Sequence, residues 1–100
     1  MKKSEAQRWF DFLTEIDSDP QLNVWHIALL VAIARLAYEQ NEKWIIRVSR
    51  RKLMAYSHIK TITSYHKYFK QLQKLGYIRY IPSYHPGYRS TIEILRKLKK

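Results

Sequence analysis

The sequence predicts a mainly α domain with a small β-hairpin, an α+β fold. Three observations carry this. Apolar residues recur at helical spacing as far as Leu75, alternation replaces that spacing after Gly76, and a turn-rich stretch from Pro82 to Ser90 separates two alternating runs. The chain has 100 residues, 46% hydrophobic and 14% aromatic, which suits one domain with a core and argues against disorder. It has no cysteine, so a disulfide scaffold is excluded and a reducing compartment fits. The longest apolar run, Ile27 to Ala34, is eight residues, whereas a membrane span needs roughly 20. Ser4-Glu5-Ala6-Gln7-Arg8 follows Met1-Lys2-Lys3 where a secretory signal would be apolar, so none is expected.

The elements follow in order. Trp9, Phe12, Leu13 and Ile16 share one helical face over residues 4–17, with Ser4 as cap and Ser18-Asp19-Pro20 as terminator. Trp9, Phe10, Phe12 and Leu13 read most simply as core; the alternative is a dimer surface. Asn23 caps a second helix to about Gln40. Its apolar residues cover nearly the whole circumference, the pattern of a helix buried on more than one side: a central core helix, or one that also meets a second subunit. Asn41-Glu42-Lys43 is a turn, and Trp44 to Val48 a short edge strand. Ser49 caps a short helix, Arg50 to about Tyr56, with Leu53 and Met54 inward, and Ser57-His58-Ile59-Lys60 is the next turn. Thr61 caps a fourth helix through Leu75, stopped by Gly76, with Tyr65, Phe69, Leu72 and Tyr68 on its inner side. Tyr77–Ile81 and Thr91–Leu95 are the hairpin strands. The expected organisation is an N-terminal helix and connection at 1–21, a body at 22–95 and a basic tail at 96–100.

Charge divides the chain sharply. Residues 1–42 hold four basic and seven acidic residues, a net of −3, whereas residues 43–100 hold fifteen basic residues and one acid, Glu93, a net of +14. A field of that sign attracts polyanions at long range and is weakened by salt. A generic solubilising surface would mix both signs.

The order helix, helix, short strand, short helix, turn, helix, strand, loop, strand resembles the winged helix-turn-helix family. The residues that carry the resemblance are Ser49-Arg50-Arg51-Lys52-Leu53, then Thr61 to Gly76 and Tyr77-Ile78, and it covers about residues 22–95. A narrower likeness rests on Trp25-His26-Ile27-Ala28-Leu29, Thr63-Ser64-Tyr65-His66-Lys67, Gly76-Tyr77-Ile78-Arg79-Tyr80 and Pro82-Ser83-Tyr84-His85-Pro86. These stretches are similar to small winged-helix proteins of Bacteroidota, often found with mobile elements and labelled transcriptional regulators. One departure stands out: the turn Ala55 to Lys60 contains no glycine.

The resemblance implies a three-helix core, an N-terminal helix and a C-terminal two-stranded wing. It also implies a double-stranded DNA partner, with the fourth helix in the major groove. With Tyr65, Phe69 and Leu72 inward, the recognition face carries Thr61, Thr63, Ser64, His66, Lys67, Lys70 and Gln71. Ser49, Arg50, Arg51, Lys52 and Lys60 would lie beside a phosphate strand, where helix starts favour anions. Tyr84, His85, Tyr88 and Arg89 form the wing, with Arg89 suited to a narrow minor groove. No acid occurs from residue 43 to 92 to repel a phosphate backbone. The competing description of these residues is a solvated helix face and a loop whose tyrosines pack on the hairpin.

No catalytic site, metal site or cofactor is expected. The four histidines are scattered and have no cysteine or acid at ligand spacing, no nucleophile sits in a motif, and two glycines cannot build a phosphate loop. The expected protein is not an enzyme. It is a DNA-binding regulator or a recombination accessory protein of a mobile element, cytoplasmic and nucleoid-associated. Homodimerisation is expected through the N-terminal helix and the helix at 23–40, and two symmetric subunits would read a palindrome. Two other readings use the same residues: a replication-initiator-like or RNA-binding module, and a winged helix for protein–protein interaction. RNA binders usually carry aromatics on a sheet surface, and here they sit mostly at helical core spacing.

Overall fold

A computed structural model of the chain describes residues 4–42, 45–85, 87 and 89–95. The expected strand start at Trp44, the loop residue Tyr88, the tail 96–100 and the Trp9 side chain lie outside the described residues. The elements are α1 (Glu5–Asp17), α2 (Val24–Gln40), β1 (Ile45–Arg47), α3 (Arg50–Ser57), α4 (Ile62–Lys74), β2 (Ile78–Ile81) and β3 (Thr91–Ile94). Among the described residues no helix is long and apolar enough to cross a membrane.

Each helix begins where a short polar side chain satisfies free backbone donors. Ser4 Oγ accepts from the Gln7 N–H at 3.1 Å, and Gln7 Oε1 accepts from the Ser4 N–H at 2.9 Å. Asn23 Oδ1 accepts from the N–H groups of Trp25 and His26, while His26 Nδ1 accepts from the Asn23 N–H at 3.0 Å. Ser49 and Thr61 cap α3 and α4 through Lys52 and Ser64, both at 3.2 Å.

The helix ends are equally specific. Gly76, at φ 84°, takes the left-handed conformation that a side chain resists. It lets the Gly76 N–H reach the Gln73 carbonyl and the Tyr77 N–H reach the Leu72 carbonyl, both at 3.1 Å. Asn41 does the same for α2 at φ 56°, and His58 ends α3 in the same left-handed conformation at φ 65°. The missing glycine of the α3–α4 turn therefore has a substitute. Histidine is among the residues that occupy this region more readily than most, and the turn closes with Ile59 buried.

The strands form one antiparallel sheet in the order β1-β3-β2. This corrects the expected two-stranded wing to three strands. The returning strand Thr91–Ile94 is central, and β1 pairs with it in the register Ile46↔Ile92. Alternation then places Ile46, Ile78, Ile92 and Ile94 on the buried face. The free edge of β1 is covered by one side chain. Gln40 Nε2 donates to the Arg47 carbonyl at 2.6 Å, and its Oε1 accepts from the Arg47 N–H at 2.9 Å, as a neighbouring strand would.

α2 is the centre of the core, packing on α1, α3, α4 and β1. Leu29, Leu30, Ile33, Leu36 and Ala37 are buried, with Phe12 and Ile16 of α1 beneath them. Phe10 and Leu13, both expected in the core, are exposed, so the inner face of α1 narrows to Phe12 and Ile16 among the described side chains. α2 is not buried all round, since Val24 and Tyr38 are 68% and 72% exposed. Two polar ties hold the periphery. The Tyr77 hydroxyl donates to Asp19 Oδ2 in the α1–α2 connection. The Tyr56 hydroxyl donates to both oxygens of Glu39, and that carboxylate raises the Tyr56 pKa above its ordinary value.

Phe69 stacks on Tyr65 at 5.3 Å between ring centroids and meets Tyr80 edge-on at 5.2 Å. Truncating Phe69→Ala removes both contacts from the core. We expect a loss of about 3–5 kcal/mol in unfolding free energy, read by urea denaturation. Near-wild-type stability would mean that α4 is rotated away from this packing.

Candidate nucleic-acid interface

The rotational setting of α4 decides what it offers to solvent. Successive residues turn by roughly 100°, so burial of Tyr65, Phe69 and Leu72 fixes one side as interior. Thr63, Lys67, Lys70 and Lys74, at spacings of four, three and four, form an exposed ridge on the opposite side. Lys67 Nζ lies 5.4 Å from the Tyr68 ring centroid, a cation–π contact that restrains the ammonium beside the ridge. Lys74 was not singled out from the sequence, although its place at i+4 from Lys70 and i+7 from Lys67 marks it.

The two flanks of the ridge differ. One faces α2: Ser64, Tyr68 and Gln71 are half-buried there. Gln71 Oε1 lies 2.7 Å from His26 Nε2, and Tyr68 meets the His26 ring edge-on at 5.3 Å. Because His26 Nδ1 accepts from the Asn23 N–H, the ring proton sits on Nε2 and is donated to Gln71. Gln71, expected among the recognition residues, is thus turned toward α2 and engaged there. His26, one of the scattered histidines, is a buried structural link between two helices, joined to a partner 45 residues away in sequence.

The other flank opens onto a groove of about 540 Å³ between the start of α3, α4 and the sheet. Its lining includes Ser49, Arg50, Tyr65, His66, Phe69, Lys70, Gln73, Tyr80 and Ser90. The groove brings expected backbone residues (Ser49, Arg50) next to expected recognition residues (His66, Lys70). Tyr80 and Gln73 were not anticipated; only the fold brings them here. Tyr65 is 4% exposed, yet its hydroxyl makes no hydrogen bond among the described residues. Every fully buried side-chain polar atom among those residues does have a partner, so this hydroxyl reaches open space at the groove.

The remaining site residues divide by role. Arg50, Arg51, Lys52, Lys60 and Thr61 are exposed. The Ser49 and Thr61 hydroxyl oxygens already accept backbone hydrogen bonds as caps. In the hairpin loop Arg89 and His85 are exposed and Tyr84 is 91% exposed, so Tyr84 does not pack on the hairpin. The loop is tied at its base by the Ser83 N–H donating to Ser90 Oγ at 3.1 Å. The one acid of residues 43–100, Glu93, is paired with Arg79 at 3.3 Å across β2 and β3, on the face of the sheet away from the core. Among the described residues no group of three His, Cys, Asp or Glu side chains is arranged to hold a metal ion.

Burial pushes the Tyr65 phenol up from 10.0 to about 12, the Tyr80 phenol adds to the rise, and the Arg50 charge opposes it. The folded protein therefore keeps a proton that the unfolded chain loses. This contribution to stability is complete below pH 10 and falls as pH rises toward 12. We expect Tyr65→Phe to flatten the decline in unfolding free energy across that window. Identical alkaline profiles for the two proteins would contradict the assignment.

No protein-family model, curated protein or solved structure matches this chain.

Proposed function

We propose that this chain is a winged helix-turn-helix protein that binds double-stranded DNA, with α4 in the major groove and the 83–90 loop on the backbone or in the minor groove. The observation that carries this reading is the ridge Thr63, Lys67, Lys70 and Lys74, exposed on a helix whose other side is core. A major groove ~12 Å wide accepts one α-helix, and its base edges are read by side chains of these types. Arg50, Arg51, Lys52 and Lys60 supply phosphate contacts, and the pairing of Glu93 with Arg79 leaves this half of the molecule without an unpaired acid. The element order and the β1-β3-β2 sheet support the winged-helix reading. A role as a regulator or recombination accessory protein of a mobile element, on the nucleoid, is supported by the sequence resemblance.

A homodimer is favoured by a separate observation. Val24, Val31 and Tyr38 are exposed on α2 at intervals of seven residues, with Ile27 and Ala34 half-buried beside them. That seven-residue spacing is the one an apolar seam between paired helices would use. Two subunits related by a twofold axis would read a palindromic site.

One titration tests both statements. Binding to a duplex containing a selected site is followed over a salt series, for the wild type and for Lys67→Ala and Arg89→Ala. About six phosphate contacts give a slope of log K against log[salt] of roughly −5. Each variant should bind more weakly, and its slope should shrink by about one for each phosphate contact removed. The stoichiometry should be two chains per site. Unchanged affinity in both variants would overturn the groove reading, equal affinity for single strands and duplex RNA would leave only polyanion binding, and one chain per site would overturn the dimer.

A further inference from the structure

The groove beside α4 has features that a straight run of DNA backbone does not use. It is concave, and its 540 Å³ lies within the range of small-molecule sites. Its floor is aromatic: Tyr65 and Phe69 are stacked, and the half-buried Tyr80 stands edge-on to Phe69. Its lining is cationic on both helices, with Arg50 from α3 and Lys70 from α4, and it also holds His66. Among the described residues no carboxylate lines it. A buried phenol with no hydrogen-bond partner among the described residues opens into it.

We propose that this groove is a seat for a single nucleotide, with the base on the aromatic floor and the phosphate held between Arg50 and Lys70. The Tyr65 hydroxyl donates to the bound molecule. Two full positive charges suit a phosphate ester, and a flat base rests on aromatic rings without demanding a sequence. Burial keeps the phenol protonated far above neutral pH, so it acts as a donor throughout the physiological range. The same chemistry arises from a free mononucleotide or from an unpaired nucleotide at the end of a bound strand. Only the second source rests on the duplex reading above.

The test uses the full chain, with amide shifts and calorimetry as readouts. Adenosine monophosphate, adenosine and inorganic phosphate are titrated separately. A blunt duplex is compared with the same duplex carrying one unpaired adenosine. In the first arm adenosine monophosphate should bind at least tenfold more tightly than either fragment and shift the amides of Arg50, His66 and Lys70. In the second arm the overhang should raise affinity over the blunt duplex. Tyr65→Phe, which keeps the ring and removes one donor, should weaken whichever binding is seen by about tenfold, and the surface change Arg50→Gln should act similarly. A positive result in either arm supports the seat and identifies its source. The seat is overturned if both arms are negative, or if both substitutions leave the binding unchanged. If no DNA of any kind binds but adenosine monophosphate does, the duplex reading fails and the seat stands.

Discussion

The aromatic contact that fixes α4 on the core governs the rest of the molecule. Phe69 is held between a stacked Tyr65 and an edge-on Tyr80, with Leu72 fully buried one turn further on. These contacts set the rotation of the helix, and rotation is the only difference between a lysine ridge in solvent and lysines forced against a core. Burying an ammonium there would cost several kcal/mol. The apolar side and the charged side of α4 are therefore one constraint expressed twice. The same contact joins the helix to the hairpin, because Tyr80 belongs to β2.

Around this constraint, polar groups do the work of locating elements. The Asn23–His26 cap orients the His26 ring, and the ring then holds Gln71 of α4. Gln40 closes the edge of β1 and thereby places the start of α3 three residues further on. Tyr77 ties the end of α4 to the α1–α2 connection through Asp19. Each link joins a local turn signal to a distant element. The positive half of the chain keeps an undiluted field because its one acid is neutralised on the outer sheet face. On the proposed reading, long-range attraction and close contact would come from the same residues, and both would weaken with salt.

What the sequence made legible was local. Ser4, Asn23, Ser49 and Thr61 stand at the helix starts, and Gly76 at the end of α4, because capping is a matter of a few neighbouring residues. The inward set Tyr65, Phe69 and Leu72 is legible because period 3.6 is written into the chain. The pairing of Ile46 with Ile92 is not, since strand partners are chosen by the assembled core rather than by either segment alone. Gln71 has the periodicity of an outer flank and is drawn in by His26, a partner far away in sequence. His58 replaces an expected glycine because a left-handed residue was needed and histidine tolerates it. The groove is not legible in the sequence for the same reason as the strand pairing: Arg50, Tyr65 and Tyr80 become neighbours only once three elements are packed.

The central claim is that the lysine ridge of α4, with the start of α3 and the hairpin loop, is the surface that meets nucleic acid. The most direct measurement is amide chemical-shift mapping of the isotopically labelled chain on addition of a short duplex. Shifts should concentrate at residues 50–52, 60–67, 70, 74 and 83–90, while Arg79 and Glu93 on the outer sheet face stay still. Shifts concentrated instead on α1 and the outer sheet face, with α4 unmoved, would contradict it.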